Sequence, residues 1–488
     1  MRSDLDPRRW RALAVCVTAL FMTLLDVSIV NVALPSIGHA MGARPAELQW
    51  VVSGYALAFG MVPIIGGRLG DDRGRKQMLL LGIGAFVICS AAVGLAPVPA
   101  GLIAARVAQG IAGGLVNPQV SGLVQQLFPR HERGRAFGVI GTVVGVATAA
   151  GPVVGGGIIA AGGEQLGWRL CFLVNVPVGV ASFLLCRSWV PAAPNRARRR
   201  ALDLPGAALL AAGVFGLLFP AVQFDADHDP RLAVLTLPAL ALLACFVAWE
   251  RGPAARRGHP LIDLGLFKIR SYAGGVSLAL LFFCAYTGTP LVLALFLQEG
   301  LAFSPLQSGL TASAYAVGTA ISAPIGGRLV PRVGQRLLVW ALMLFTTGLA
   351  AAALVADHAA GAVPPSHVAL LMALPLLVAG LGGGSVITPN QALSLAEVNV
   401  SGGSTAGGML QTSQRIGNAL GAAVISAVFY AASTGVDRAG DALSQARFGR
   451  AYALSLVVSV CFALAALALA VRDAGPSRSA RGSTGSAR

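Results

Sequence analysis

Long apolar runs separated by short polar joints dominate this chain, and their lengths set the architecture. Runs such as 204–222, 273–297 and 451–471 reach the roughly 20 residues that a helix needs to cross about 30 Å of hydrocarbon. Fourteen segments of this kind are read, near 11–35, 48–67, 78–97, 100–122, 136–161, 170–190, 204–223, 231–250, 272–297, 306–327, 336–356, 367–389, 405–432 and 450–472. All are expected to be helical, because lipid offers no partner for an unsatisfied backbone group. The expected fold is therefore all-α and polytopic. The first run is longer than a signal-peptide core, lacks an A-x-A-like cleavage site and contains Asp26, so it is read as a retained helix.

The pattern repeats. Gly66-Gly67-Arg68-Leu69, followed by Arg73-Gly74 and Lys76, returns about 260 residues later as Gly326-Gly327-Arg328-Leu329, followed by Arg332, Gly334 and Arg336. Gly110, Gly113, Gly114 and Pro118 are echoed by Gly380, Gly383, Gly384 and Pro389. Two six-helix halves, 11–200 and 253–472, with two extra helices over 201–252 between them, explain the offset. A short segment 1–10 precedes the first half. A Ser-, Gly- and Arg-rich tail over 473–488 follows the second and is expected to be disordered. Repeated halves of this sort place a ligand near the midplane, between them.

Composition narrows the class. Only 11% of residues are charged and 56% are hydrophobic, whereas soluble domains carry about a quarter charged residues. The net charge of +16 could suggest nucleic acid, but its distribution does not. With the N-terminus inside, 28 of the 36 Lys and Arg fall on cytoplasmic segments, the bias that orients membrane proteins. Both termini are thus expected in the cytoplasm, with the lipid bilayer as partner and no nucleic acid. The seven cysteines and six histidines show no metal-ligand spacing, so no metal is expected. A phosphate-binding G-x-x-x-x-G-K-[ST] loop is missing from the sequence, so no nucleotide cofactor is expected and no enzyme constellation is read.

Against this background a few polar residues stand out. A charged side chain near a helix centre costs at least about 2.5–3.5 kcal/mol, so Asp26 calls for a partner or a task. Burial disfavours its charged form and a nearby cation favours it; between these influences a carboxylate can accept a proton from one side and release it to the other. Arg106 lies at comparable depth in the fourth segment and is its expected partner. Arg106, Gln109, Gly110, Gly113 and Asn117 share one helical face. In the thirteenth segment Arg415, beside Gln411, Gln414 and Asn418, offers donors to a cavity, with no deep acid in its own half. Asn31, Tyr55 and Tyr286 complete the candidate path. The loop Gly67-Arg68-Leu69-Gly70-Asp71-Asp72-Arg73-Gly74-Arg75-Lys76 packs charges among glycines, and either Asp71 or Asp72 could pair across to another helix in one conformation only. In the fifth segment Gly141, Gly145 and Ala149, then Gly151-Pro152 and Gly155, form a small-residue stripe suited to close helix contact.

These features resemble the major facilitator superfamily, and within it the fourteen-helix drug:proton antiporter family. The resemblance rests on Leu25-Asp26-Val27-Ser28-Ile29-Val30-Asn31-Val32-Ala33-Leu34-Pro35, the loop from Gly67 to Lys76, Arg106-Val107-Ala108-Gln109-Gly110, Gly145 through Gly151-Pro152 and Gly155-Gly156, and Trp168-Arg169 with Asn175-Val176-Pro177-Val178-Gly179. It covers residues 10–472. The resemblance implies a proton role for Asp26 and Arg106, a conformational gate at 67–76 and an antiporter helix around Gly145, Gly151, Pro152 and Gly155. It also implies a monomeric secondary transporter, driven by the proton motive force, that exports small hydrophobic or cationic compounds. The alternative is a proton symporter for uptake of a small nutrient.

Overall fold

The computed structural model describes residues 8–192, 203–227, 236–254, 260–434 and 441–474. Helix accounts for nearly all of them. In chain order the helices are α1 (Arg9–Met41), α2 (Pro45–Met61), α3 (Pro63–Arg73), α4 (Arg75–Gly94), α5 (Pro99–Leu127), α6 (Arg130–Leu173), α7 (Asn175–Trp189), α8 (Leu204–Asp227) and α9 (Thr236–Trp249). They continue with α10 (Arg270–Leu295), α11 (Pro305–Val333), α12 (Gln335–Ala359), α13 (Pro365–Ser394), α14 (Gly403–Ser433) and α15 (Ala442–Ala474).

Local chemistry sets the boundaries. Pro45, Pro63, Pro99, Pro305 and Pro365 stand in first helical turns, where a missing N–H leaves no hydrogen bond unmade. At the start of α11 the Gln307 N–H donates to Ser304 Oγ at 3.3 Å, and the Ser304 N–H donates to Gln307 Oε1 at 3.0 Å. The second apolar segment is not one straight rod: α2 and α3 bend by 45° at Val62–Pro63.

Where they are described, the expected apolar segments lie on helix except at Val62, 95–97, Val174 and Val190. Nine helices among the described residues are long and apolar enough to cross a membrane, or ten if the bent α2–α3 pair is one span. Two expected boundaries are corrected. The joint placed between 161 and 170 shrinks to Gly163, which breaks α6 at φ 69°, a backbone conformation that costs glycine little. The expected start of the disordered tail at 473 is corrected: Asp473 and Ala474 still belong to α15, and Asp473 Oδ1 accepts from Arg270 Nε at 3.2 Å. The rest of that tail, residues 1–7, the Arg198-Arg199-Arg200 cluster and the start of the eighth segment lie outside the described residues.

Packing between the two sets α1–α7 and α10–α15 is uneven. One apolar cluster, around Phe282, Phe296, Phe345 and Phe429, draws only on α10–α15 and the turns between them. Another, around Val30, Val51, Trp168 and Phe172, draws only on the first set. A third mixes both, joining Leu79, Val120, Phe137 and Cys186 to Tyr272, Leu395 and Ala406. It lies at the end of the molecule that carries Arg9, Arg75 and Arg133, and there α3 and α5 pack on α14 while α6 packs on α11. The helices α8 and α9 pair with each other, and α8 leans on α2 and α14.

Candidate functional site

Asp26 is 1% exposed, and three side chains from two helices, α5 and α7, close on it. Arg106 Nη1 donates to its Oδ2 at 2.5 Å. Gln109 Nε2 and Asn175 Nδ2 donate to its Oδ1 at 3.0 and 2.8 Å. Both amides also donate to Ser90 Oγ, at 3.2 and 3.1 Å, and that hydroxyl donates to Phe172 O at 2.9 Å. A carboxylate offers about four acceptor positions, so this cage fills most of them. Sequence reading brought forward Asp26, Arg106 and Gln109; the cage adds Asn175 from α7 and Ser90 from α4.

Arg106 is held as tightly as its partner. Its Nε donates to Val51 O at 3.1 Å and its Nη1 to Gln109 Oε1 at 2.8 Å. Its guanidinium carbon lies 4.3 Å from the centre of the Tyr55 ring. Tyr55 stacks on Phe59, one turn further along α2, with ring centres 5.8 Å apart and planes 22° apart. The far guanidinium, that of Arg415, lies 4.5 Å from the Phe59 ring centre. Two cations on different halves are thus joined through two stacked rings, each cation held by the negative face of a ring. Gly113 gives α2 its place on α5, since a Cβ there would sit 3.0 Å from both Phe59 Cδ2 and Tyr55 Oη.

Arg415 opens onto a cavity of about 290 Å³ between the two sets of helices. Leu20 and Leu24 of α1, Phe59 of α2, Asn117 and Ser121 of α5, Phe283 and Tyr286 of α10, Gln391 of α13, and Gln411, Gln414 and Asn418 of α14 line it. Of the candidate path, Asn117, Tyr286, Gln411, Gln414 and Arg415 meet here. Tyr55 and Gln109 do not; they are built into the surroundings of Asp26 instead, because the α2 and α5 faces that carry them turn toward α1. Asn31 is exposed on α1 and does not line the cavity, although it continues the stripe of Leu20, Leu24 and Val27.

At the basic end Asp71 and Asp72 part ways. Asp72 pairs with Arg68, one turn back on α3, at 3.0 Å. Asp71 pairs with Arg75 at 2.8 Å and also reaches the first turn of α14. There its carboxylate accepts from Ser404 N at 3.1 Å, and from Thr405 N and Thr405 Oγ1 at 2.8 Å each. Negative charge at a helix N-terminus meets free N–H groups and the positive end of the helix dipole. Arg75 spans the same seam, donating to Ser404 Oγ at 2.9 Å, to Gly122 O at 2.8 Å and to Val400 O. Gly67 makes the approach possible, because a Cβ there would run into Ser404 O. Gly70 and Gly74 complete the turn, with Gly74 at φ 105°; Arg73 is exposed.

The small-residue stripe of α6 serves two partners. Gly151 and Gly155 face Ser28 and Ile29 of α1, whereas Gly145 faces Ala320 of α11. Pro152 lies within the same helix. Further down α6, Gly134 and Gly138 press on Gly327, the second half's counterpart of Gly67.

The chain matches the family described as Major Facilitator Superfamily over residues 16–255 and 275–487. It is 36% identical over 425 residues to the "Probable actinorhodin transporter" of Streptomyces coelicolor, covering 87% of this chain and 73% of that protein. It is 33% identical to the "Puromycin resistance protein pur8" of Streptomyces alboniger, over 87% of this chain and 82% of the relative. It is 32% identical to the "Tetracenomycin C resistance and export protein" of Streptomyces glaucescens, over 87% and 76%. Among solved structures, the human organic anion transporter MFSD10 aligns with a TM-score of 0.61 at 18% identity, over 94% of this chain and 100% of that one. A double-tryptophan mutant of XylE aligns with a TM-score of 0.62 at 16% identity, over 93% and 94%. At these identities the structural likeness is one of fold.

Proposed function

Because the chain belongs to the Major Facilitator Superfamily, and is thus a multi-pass membrane transporter of small molecules, we propose that it is a proton-coupled antiporter that exports small hydrophobic compounds from the cytoplasm. In this reading the chain crosses the membrane fourteen times, as a monomer with both termini inside. The bundles 11–200 and 253–472 flank the pair of helices in 201–252. The basic end is cytoplasmic and sealed, so the molecule faces outward.

The observation that carries the proposal is the line of contacts from Asp26 through Arg106, Tyr55 and Phe59 to Arg415 at the cavity. A proton on Asp26 removes the charge that holds Arg106, and Arg106 is also stacked on the ring pair that forms part of the cavity wall. Protonation and cavity shape then change together. Asp71 and the glycines of α3 and α6 act as the gate that alternates with cavity opening. Magnitudes suffice: one proton moving inward across about −100 mV gains about 2.3 kcal/mol, enough for roughly a forty-fold gradient of a neutral compound. Export rather than uptake is favoured by the named resistance and export proteins among the relatives. The cationic part of the expected substrate range gains no support from the cavity, whose one charged lining residue is Arg415.

Inverted membrane vesicles test the reading. With the lumen acidified, the wild-type protein is expected to accumulate at least one member of a panel of anionic, neutral and cationic aromatic compounds. Asp26→Asn, inserted at the same level, is expected to lose accumulation at least ten-fold. Accumulation undiminished in that variant removes Asp26 from the mechanism, and proton-driven movement in the opposite direction establishes the symporter instead.

A further inference from the structure

We propose that the cavity selects aromatic anions, which Arg415 binds by their negative group while Asn117 and Gln411 hold hydroxyl or amine substituents. This inference rests on the exporter reading and gives it a substrate class. Its starting point is an imbalance of charge. Asp26 and Arg106 neutralise one another within their cage, but among the described residues no carboxylate lies within ion-pair distance of Arg415. Its guanidinium meets the Phe59 ring and the cavity. A lone charge at this depth is costly, and the face of one ring offsets only part of that cost. A partner that arrives with each transport cycle supplies the rest.

Two further groups ask for a ligand. Asn117 Oδ1 and Gln411 Oε1 are buried without a hydrogen-bond partner, and both residues line the cavity. Swapping oxygen for nitrogen in either amide would still leave it short of its full set of partners. Buried polar groups are seldom left unmade in a finished site, since each costs about as much as a lost hydrogen bond. Among the aliphatic side chains of its walls stand three rings: Phe59 on one side, and Phe283 and Tyr286 on the other, with the last two ring centres 5.8 Å apart. A cavity of about 290 Å³ is at the small end of ligand sites and suits a body of two or three fused rings. Together these features describe a flat ring system with one negative group and one or two hydrogen-bond donors.

The sign of the substrate also changes the energetics. Exchanging one inward proton for one outward monocation moves no net charge, so membrane potential contributes nothing. Exchanging one proton for one monoanion moves two charges, and at about −100 mV each contributes roughly forty-fold to the attainable gradient.

Binding of matched probes to the full chain in lipid nanodiscs tests this directly. The probes are 1-hydroxy-2-naphthoate, its neutral methyl ester and the cationic naphthylmethyl-trimethylammonium, each measured against wild type, Arg415→Gln and Arg415→Lys. The naphthoate is expected to bind wild type at least ten-fold more tightly than either other probe. Arg415→Gln is expected to erase that preference while retaining the ester, which also reports that the variant is folded; Arg415→Lys is expected to keep a preference for the anion. A cation bound as well as the anion, an anion affinity unchanged in Arg415→Gln, or no binding by any probe each overturns the proposal. Proton-driven accumulation in vesicles is read separately. Its loss alongside an intact anion preference overturns only the exporter reading, and its presence without that preference overturns only the substrate class.

Discussion

Asp71 and Asp72 are adjacent in the chain, but about 100° of helical rotation separates their side chains, and that rotation separates their chemistry. Asp72 meets Arg68 on its own helix, whereas Asp71 collects Arg75 and three donors at the start of α14. Removing the Asp71 carboxylate strands those donors, at about 1–3 kcal/mol for a buried group left unpaired. Asp71→Ala is therefore expected to shift the population toward the inward-open form by ten-fold or more, and Asp72→Ala by markedly less. Spin-label distances across the basic end, measured in both variants, check this; equal shifts would deny Asp71 its special place. The tandem was ambiguous in the sequence because its deciding partners are backbone N–H groups, which any residue carries. Asp26 and Arg106 were legible for the opposite reason, since charges inside apolar helices stand out. Ser90 was not, and Asn175 stood out only as part of a family motif with no role attached, because small polar residues are common in such helices and only helix rotation brings these two to the Asp26 cage. Arg415 was legible as a polar intrusion, but its contact with Phe59 depends on how two halves far apart in sequence are docked.

Helices meet across the molecule through glycine. Gly67 of α3 lies against the backbone at Ser404, and Gly327 of α11 against Gly138 of α6, so the internal repeat reappears as two matching contacts at one end. A side chain at either position cannot be accommodated by rotamer change, because the opposing atoms are backbone. Gly67→Val is expected to prevent closure of that end and to leave cysteine probes on α14 accessible from the cytoplasmic side in most molecules. Gly156→Ala, where an added Cβ meets nothing within 4 Å, is expected to leave both accessibility and export unchanged. Labelling of the Gly67→Val variant indistinguishable from wild type would show that the seam tolerates spreading and does not gate. Periodicity and small-residue spacing made these elements readable in advance. The bend at Val62–Pro63 is not legible, because apolar composition continues straight through it and carries no information about axis direction; the joint after 161 is legible from Gly162-Gly163-Glu164-Gln165, but not its narrowing to the single residue Gly163.

At the scale of the whole molecule, apolar contact between the halves is concentrated at the basic end, while the cluster around Trp168 and Phe172 stays within one half. Alternating access requires this asymmetry to reverse during each cycle. A bridge that prevents reversal should stop transport without touching the cavity. In a background with the seven native cysteines replaced, Gly145→Cys combined with Ala320→Cys on the same α6–α11 seam, where an added Cβ would lie 3.7 Å from that of Ala320, is expected to form a disulfide on oxidation. Export should then fall to background and recover on reduction, as followed by vesicle accumulation. Undiminished export by the crosslinked protein would mean that this end never opens. The ring pair between the two guanidiniums carries a consequence for adaptation. Phe59 belongs at once to the cavity wall and to the chain of contacts that ends on Asp26, so under the proposed exchange a change there that admits new compounds also slackens the link to the proton. Under the same proposal, variation in substrate range is expected to accumulate more freely on the facing wall, at Phe283 and Tyr286, which are not part of that chain of contacts.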